Sequence, residues 1–158
     1  LFKRRQPPSN GSERIDMQNS NKSEKQIFDL INENHHQYKG TFSAHVDGRE
    51  FMVAKTNLLF HTADKDYFIV GADDYNHNVV TFCVPQDLIK DGPHQVRWYE
   101  GGLVWSVRIS NVSHVIKQGL ANVTFLRTGE NRSGVSGDID FVLPDGKTVT
   151  GKFEIKRI

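Results

Sequence analysis

At 158 residues, 37% hydrophobic and 25% charged, the chain suits one folded unit with a single core, and its composition excludes collagenous and wholly disordered classes. The net charge of +1 is uneven: residues 1–22 hold five Lys or Arg against two acids, which leaves the rest at about −2. A folded part of that charge offers no basic face to phosphates, so no nucleic-acid partner is expected. The longest apolar runs, such as Leu58-Leu59-Phe60, fall far short of the roughly 18 residues of a membrane helix, and no transmembrane segment is expected.

Taken in chain order, residues 1–21 are polar, contain Pro7, Pro8 and Gly11, and show no hydrophobic period, which predicts a disordered basic tail. The chain opens on Leu1 rather than Met, so Met17 is a candidate start unless a segment was removed upstream. Residues 22–158 are expected to form one β-sandwich domain with an N-terminal helix. Ser23 and Gln26 have the spacing of a capping box, and Ile27, Leu30, Ile31 and Tyr38 share one helical face, which predicts a helix over about 24–35. His35 and His36 at its end are adjacent and diverge by about 100°, so they suit a helix C-terminus better than a metal ion.

Beyond Gly40, short apolar alternations are broken by Gly, Asp, Asn and Pro. The expected strands are 41–47, 49–54, 57–62, 67–72, 79–84, 94–100, 103–110, 112–117, 120–127, 135–143 and 148–156. The fold class is therefore all-β: an antiparallel β-sandwich or flattened barrel of about ten short strands with one short N-terminal helix. Cys83, the only cysteine, lies in an apolar run and is read as a small buried hydrophobe, which excludes an internal disulfide.

Turn chemistry sets three registers. Asp47-Gly48 as a type I′ turn places Val46 opposite Arg49, Ala44 opposite Phe51 and Phe42 opposite Val53. A three-residue loop at Pro144-Asp145-Gly146 places Phe141 opposite Val149 and Gly137 opposite Phe153, which unites the apolar faces. Gly101-Gly102 as a two-residue turn places Trp98 across from Trp105 and Val96 across from Val107. Both tryptophans then join Leu103 and Ile109 in the core, and the opposite face carries Gln95, Arg97, Tyr99, Ser106 and Arg108, a set of donors and an aromatic suited to a sugar or an anionic peptide.

No G-x-S-x-G, HExxH, P-loop or EF-hand spacing occurs. Asp138 and Asp140 project from one strand face as a glycosidase pair does, although acids alternating with buried Ile139 and Phe141 explain the pattern equally. His45 is expected to face Glu50 across the first hairpin. The polar stretch Asp73, Asp74, Tyr75, Asn76, His77, Asn78 is longer and chemically richer than hairpin closure requires. Its oxygens suit calcium, the one cofactor considered, and Tyr75 suits a sugar ring. Asp73, Asp74, Tyr75 and His77, with Arg97 and Tyr99, are the candidate ligand-binding residues; no catalytic or metal-ligating residue is assigned. Asn-x-Ser/Thr sequons stand at Asn10, Asn21, Asn111, Asn122 and Asn131, as in glycosylated secreted proteins.

Gly40-Thr41-Phe42-Ser43-Ala44 with Val46-Asp47-Gly48-Arg49-Glu50-Phe51, and the closing Gly151-Lys152-Phe153-Glu154-Ile155, resemble small exported bacterial β-sandwich proteins, often lipoproteins, of unassigned function. The resemblance covers the first and last hairpins and does not extend to a lipobox cysteine. It implies export to the periplasm or cell surface and no particular activity. The expected function is a non-catalytic module displaying loops and strand faces to a protein or glycan partner. The alternatives are a small carbohydrate-active hydrolase using Asp138 and Asp140, and a self-associating envelope or virion subunit.

Overall fold

A computed structural model describes residues 25–63, 66–88, 92–100, 105–128 and 131–158. These form an all-β sandwich with one short N-terminal helix, α1 (25–34), which passes through a 3-10 turn, His35–Gln37, into the first strand. The strands are β1 (Tyr38–Val46), β2 (Arg49–Ala54), β3 (Asn57–Ala63), β4 (Asp66–Ala72), β5 (Val79–Pro85), β6 (Gly92–Arg97), β7 (Ser106–Ile109), β8 (Val112–Val115), β9 (Gly119–Thr128), β10 (Asn131–Val142) and β11 (Thr148–Arg157). One antiparallel sheet has the order β2-β1-β11-β10-β9-β6 and the other β3-β4-β5-β7-β8. The expected tail, Ser23, Gly101, Gly102 and Leu103 lie outside the described residues. Among the described residues no helix is long and apolar enough to cross a membrane.

The core lies between the two sheets. Phe42 and Phe153 of the six-stranded sheet stand 5.2 Å apart, Phe153 meets Phe82 of β5 at 5.6 Å, and Trp105 meets Phe82 at 5.8 Å and Phe141 at 5.1 Å. Gly71 on β4 permits this approach: a Cβ there would fall 2.6 Å from the Phe42 side chain, so any larger residue would push the sheets apart.

The five-stranded sheet is covered on its outer side as well. Gly71 faces Phe42, Val80 pairs with Gly71, and Val107 pairs with Val80, so these three point inward and Arg108 points outward. The Arg108 guanidinium sits 5.6 Å from the ring of Phe28 on α1, which places the helix over that outer face. Ile27 and Ile31 are buried, and so is every residue of 67–72 and 79–84. Cys83, which alternates with inward Phe82, is buried on the outer side. Tyr38 belongs to β1 rather than to the helix face expected for it, because the 3-10 turn rotates the chain away first. Its hydroxyl donates to the Phe60 carbonyl at 2.9 Å, and the Arg157 guanidinium lies 5.4 Å and 5.0 Å from the Tyr38 and Phe60 rings. Burial raises the Tyr38 pKa, opposed in part by the Arg157 cation.

Two of the expected registers change. In the first hairpin Asp47 and Gly48 both take positive φ (47° and 83°), as a type I′ turn demands. Val46 faces Arg49 and His45 faces Glu50 as expected, but the register then shifts, so that Ala44 faces Met52 and Phe42 faces Ala54. The shift adds Phe51 as an extra residue on β2. It turns Met52 and Ala54 into the core and leaves Val53 41% exposed. The strand pairing expected from Gly101-Gly102 is not observed either. Val96 pairs with Ala121, and Val107 pairs with Val80 and His114, because β6 finds a six-residue register along β9 while β7 inserts between β5 and β8. Trp105 is buried and Trp98 half-buried. At the Pro144 turn the expected pairs, Phe141 with Val149 and Gly137 with Phe153, are those observed, and Gly146 takes the positive φ of 93°.

Candidate ligand-binding loop end

The 73–78 loop joins β4 to β5 and is organised by Asp73. Its Oδ1 accepts the backbone N–H groups of His77 (2.8 Å) and Asn78 (3.3 Å), its Oδ2 accepts Asn78 Nδ2 (2.8 Å), and its own N–H donates to the Asn78 carbonyl (3.0 Å). An aspartate closing a turn on its own backbone is what this residue type does best. Asn76 takes a φ of 59° to complete the turn. Asp73 was expected as a ligand group; it serves instead as the frame, since both carboxylate oxygens are engaged inside the loop.

Two neighbouring turns hold this frame from outside. From the β2–β3 turn, Thr56 Oγ1 donates to Asp74 Oδ1 at 3.1 Å, and Asn57 Nδ2 donates to the Asp73 carbonyl at 3.0 Å. From the β7–β8 turn, the Ser110 N–H donates to Asn78 Oδ1 at 2.9 Å and the Asn111 N–H to the His77 carbonyl at 2.9 Å. Ser110 and Asn111 both take positive φ (49° and 69°). Asp74, Tyr75 and His77 project from this scaffold and are exposed, Tyr75 at 81%. The Tyr75 and His77 ring centroids are 5.8 Å apart with planes tilted by 32°. Thr56, Asn57, Ser110 and Asn111 were absent from the expected site. Thr56 and Asn57 reach it through the β3–β4 hairpin and Ser110 and Asn111 through the pairing of β5 with β7, and only the turn chemistry of Ser110-Asn111 hinted at a role.

Arg97 and Tyr99 belong elsewhere. Arg97 is exposed on β6, the edge of the six-stranded sheet, while Tyr99 packs edge-on against Trp105 at 6.5 Å with its hydroxyl buried. Because β6 and β7 enter different sheets, Gln95 and Arg97 share no strand face with Ser106 and Arg108, and the expected donor face dissolves. Arg108 is engaged with Ser113 Oγ (3.1 Å), Asn111 Oδ1 (3.5 Å) and the Phe28 ring.

The remaining polar groups stand in ordinary surroundings. Asp138 and Asp140 are exposed on β10, alternating with buried Ile139 and Phe141, and Asp138 Oδ1 accepts Asn122 Nδ2 at 2.9 Å. His45 lies 3.9 Å from Glu50 across the first hairpin, and His35 Nδ1 is 2.9 Å from the Ile31 carbonyl near the end of α1. Among the described residues no group of three or more His, Cys, Asp or Glu side chains is arranged to hold a metal ion. An open groove of about 570 Å³ runs between 115–118 and the Pro144 turn; Val115, Val142, Leu143 and Lys117 line it, and neither Asp138 nor Asp140 does. Comparison with protein-family models, curated proteins and solved structures finds no match to this chain.

Proposed function

We propose that the protein is a non-catalytic binding module whose contact surface is the loop end carrying Asp74, Tyr75 and His77, presented to a protein or glycan partner. The observation that supports it is the division of labour within the loop: Asp73 and Asn78 fix the backbone, two further turns brace it, and an aromatic, an imidazole and a carboxylate project into solvent. A surface held in its binding shape loses little conformational freedom on association, and loops on a rigid sandwich are where recognition is usually carried. Export, implied by the resemblance in the first and last hairpins, suits a module that meets its partner outside the cell.

Two variants of the full-length chain test this reading against the hydrolase alternative. Tyr75→Ala with His77→Ala strips the display and leaves Asp73 in place; Asp138→Asn with Asp140→Asn removes the paired carboxylates. Each is used to recover binding partners from the source cells, with calorimetric titration of calcium alongside. A stoichiometric partner lost only with the first variant supports the module. A partner or sugar-cleaving activity lost only with the second overturns it in favour of the hydrolase, and a higher-order mass in light scattering that both variants retain favours a self-associating subunit.

A further inference from the structure

We infer that the loop end is a saccharide site, in which Tyr75 and His77 form a two-ring shelf and Asp74 supplies the directional hydrogen bond. This rests on the binding reading above and narrows its partner to one chemical class. The carboxylate of Asp73 and the side-chain amide of Asn78 are engaged with protein, whereas Asn76 Oδ1 is buried without a hydrogen-bond partner among the described residues. The outward groups differ: Asp74 Oδ2, the Tyr75 hydroxyl and the ring nitrogens of His77 make no hydrogen bond among the described residues. Unengaged acceptors and donors flanking exposed rings are what a polyhydroxylated ligand requires.

The ring geometry fits the same class. Aromatic faces carry negative charge density, and the C–H face of a pyranose presents polarised hydrogens to it. The two ring centroids are 5.8 Å apart with planes tilted by 32°, and at 81% exposure the Tyr75 ring is open to a sugar. A protein partner fits less well. A standard interface buries about 800 Å² per side around an apolar centre. Tyr75 is the one large apolar side chain exposed on this loop, and the bracing turns add Thr56, Ser110 and Asn111. Val112, exposed at the start of β8, is the next aliphatic group along the chain and cannot make an interface core alone.

The test is an array of immobilised oligosaccharides probed with the full chain, followed by calorimetry with the soluble form of any oligosaccharide bound. Tyr75→Ala should weaken binding by about tenfold, equivalent to about 1.4 kcal/mol, and Tyr75→Phe, which keeps the ring and loses only the hydroxyl, should recover most of it. His77→Ala should weaken it by less, and Glu154→Gln on the open sheet face should leave it unchanged. All four should melt close to the wild type, because none removes a side chain that bonds within the Asp73 frame, which holds His77 by its backbone. A silent array, or binding that survives Tyr75→Ala, overturns the saccharide assignment. If the array is silent while a partner from the source cells is still lost with Tyr75→Ala and His77→Ala, the binding module stands and its ligand is a protein. If neither binds, both readings fall.

Discussion

Strands β11 and β5 cross the same sandwich under different rules. Along β11 burial alternates residue by residue, with Val149, Gly151, Phe153 and Ile155 inside and Thr150, Lys152 and Glu154 outside; along β5 every residue of 79–84 is buried. The two belong to different sheets, and the difference is one of cover. The six-stranded sheet has the core on one side and open solvent on the other, whereas the five-stranded sheet is closed on its outer side by α1. Half-buried strands alternate and doubly covered strands read as continuous apolar runs. The helix therefore makes the five-stranded sheet an internal layer, and the loop end emerges from that doubly held layer.

If both inner faces share one core, the largest effect belongs at its centre. Trp105→Ala, in contact with Phe82 and Phe141, should destabilise the protein by about 3 to 5 kcal/mol in urea unfolding. Trp105→Phe should cost distinctly less, because it also removes a buried indole N–H that has no hydrogen-bond partner among the described residues. Equal costs would show that the buried indole N–H is no liability.

A second prediction asks whether the helix is the cover. Ile31→Ala should cost about 2 to 4 kcal/mol, since Ile31 is fully buried. Ile31→Asp should go further and lift α1 off the sheet. Cys83 reports on this without ambiguity, being the sole cysteine and buried on the outer side of β5: Ellman's reagent should react slowly with the wild type and promptly with Ile31→Asp under native conditions. A thiol that stays protected in a demonstrably folded Ile31→Asp variant would mean that something other than α1 closes the layer.

These two layers also explain which parts of the architecture were legible. Alternation and turn residues located the eleven strands to within four residues at every boundary, because both signals are local. The Pro144 turn was legible because only one loop length united its apolar faces. The bulge at Phe51 was not, since Phe51-Met52-Val53-Ala54 is apolar at every position and both registers bury two side chains. Gly101-Gly102 misled for the opposite reason: its chemistry favours a tight turn, while strand pairing followed the longer partner, β9. In the loop end, length and polarity marked 73–78 as excess, and Asp73 near His77 and Asn78 could have suggested a self-capped turn. The contributions of Thr56, Asn57 and Ser110 come from other turns of the five-stranded sheet, and no local pattern encodes them.

The third prediction concerns the junction of the layers. Tyr38→Phe removes the hydroxyl donated to the Phe60 carbonyl and should cost about 0.5 to 1.5 kcal/mol at neutral pH. Its pH dependence sharpens the test. The folded Tyr38 pKa is raised above the ordinary 10.0 by burial, so the folded state retains a proton that the unfolded chain loses. That contribution is fully present below pH 10 and is lost as pH rises through the folded value. The wild type should lose stability over that alkaline range more steeply than Tyr38→Phe, and parallel curves would count against a buried phenol.

The smallest effect is expected on the open side of the six-stranded sheet. Asp140→Asn exchanges one exposed polar group for another of the same shape and should stay within about 0.5 kcal/mol of the wild type. Asp138→Asn removes only the charge from its hydrogen bond with Asn122, made at the surface, where such bonds contribute little because water replaces them. The comparison turns on this near-absence of effect, because the same conservative exchange at Asp73 should do more: its carboxylate accepts two backbone N–H groups and Asn78 Nδ2 at once, and an amide offers only one acceptor oxygen. Melting temperatures of the three single variants, measured side by side, decide it. If Asp138→Asn or Asp140→Asn falls as far as Asp73→Asn, the open face carries structural work that its exposure does not suggest, and the contrast drawn between the two sheets fails on its solvent side.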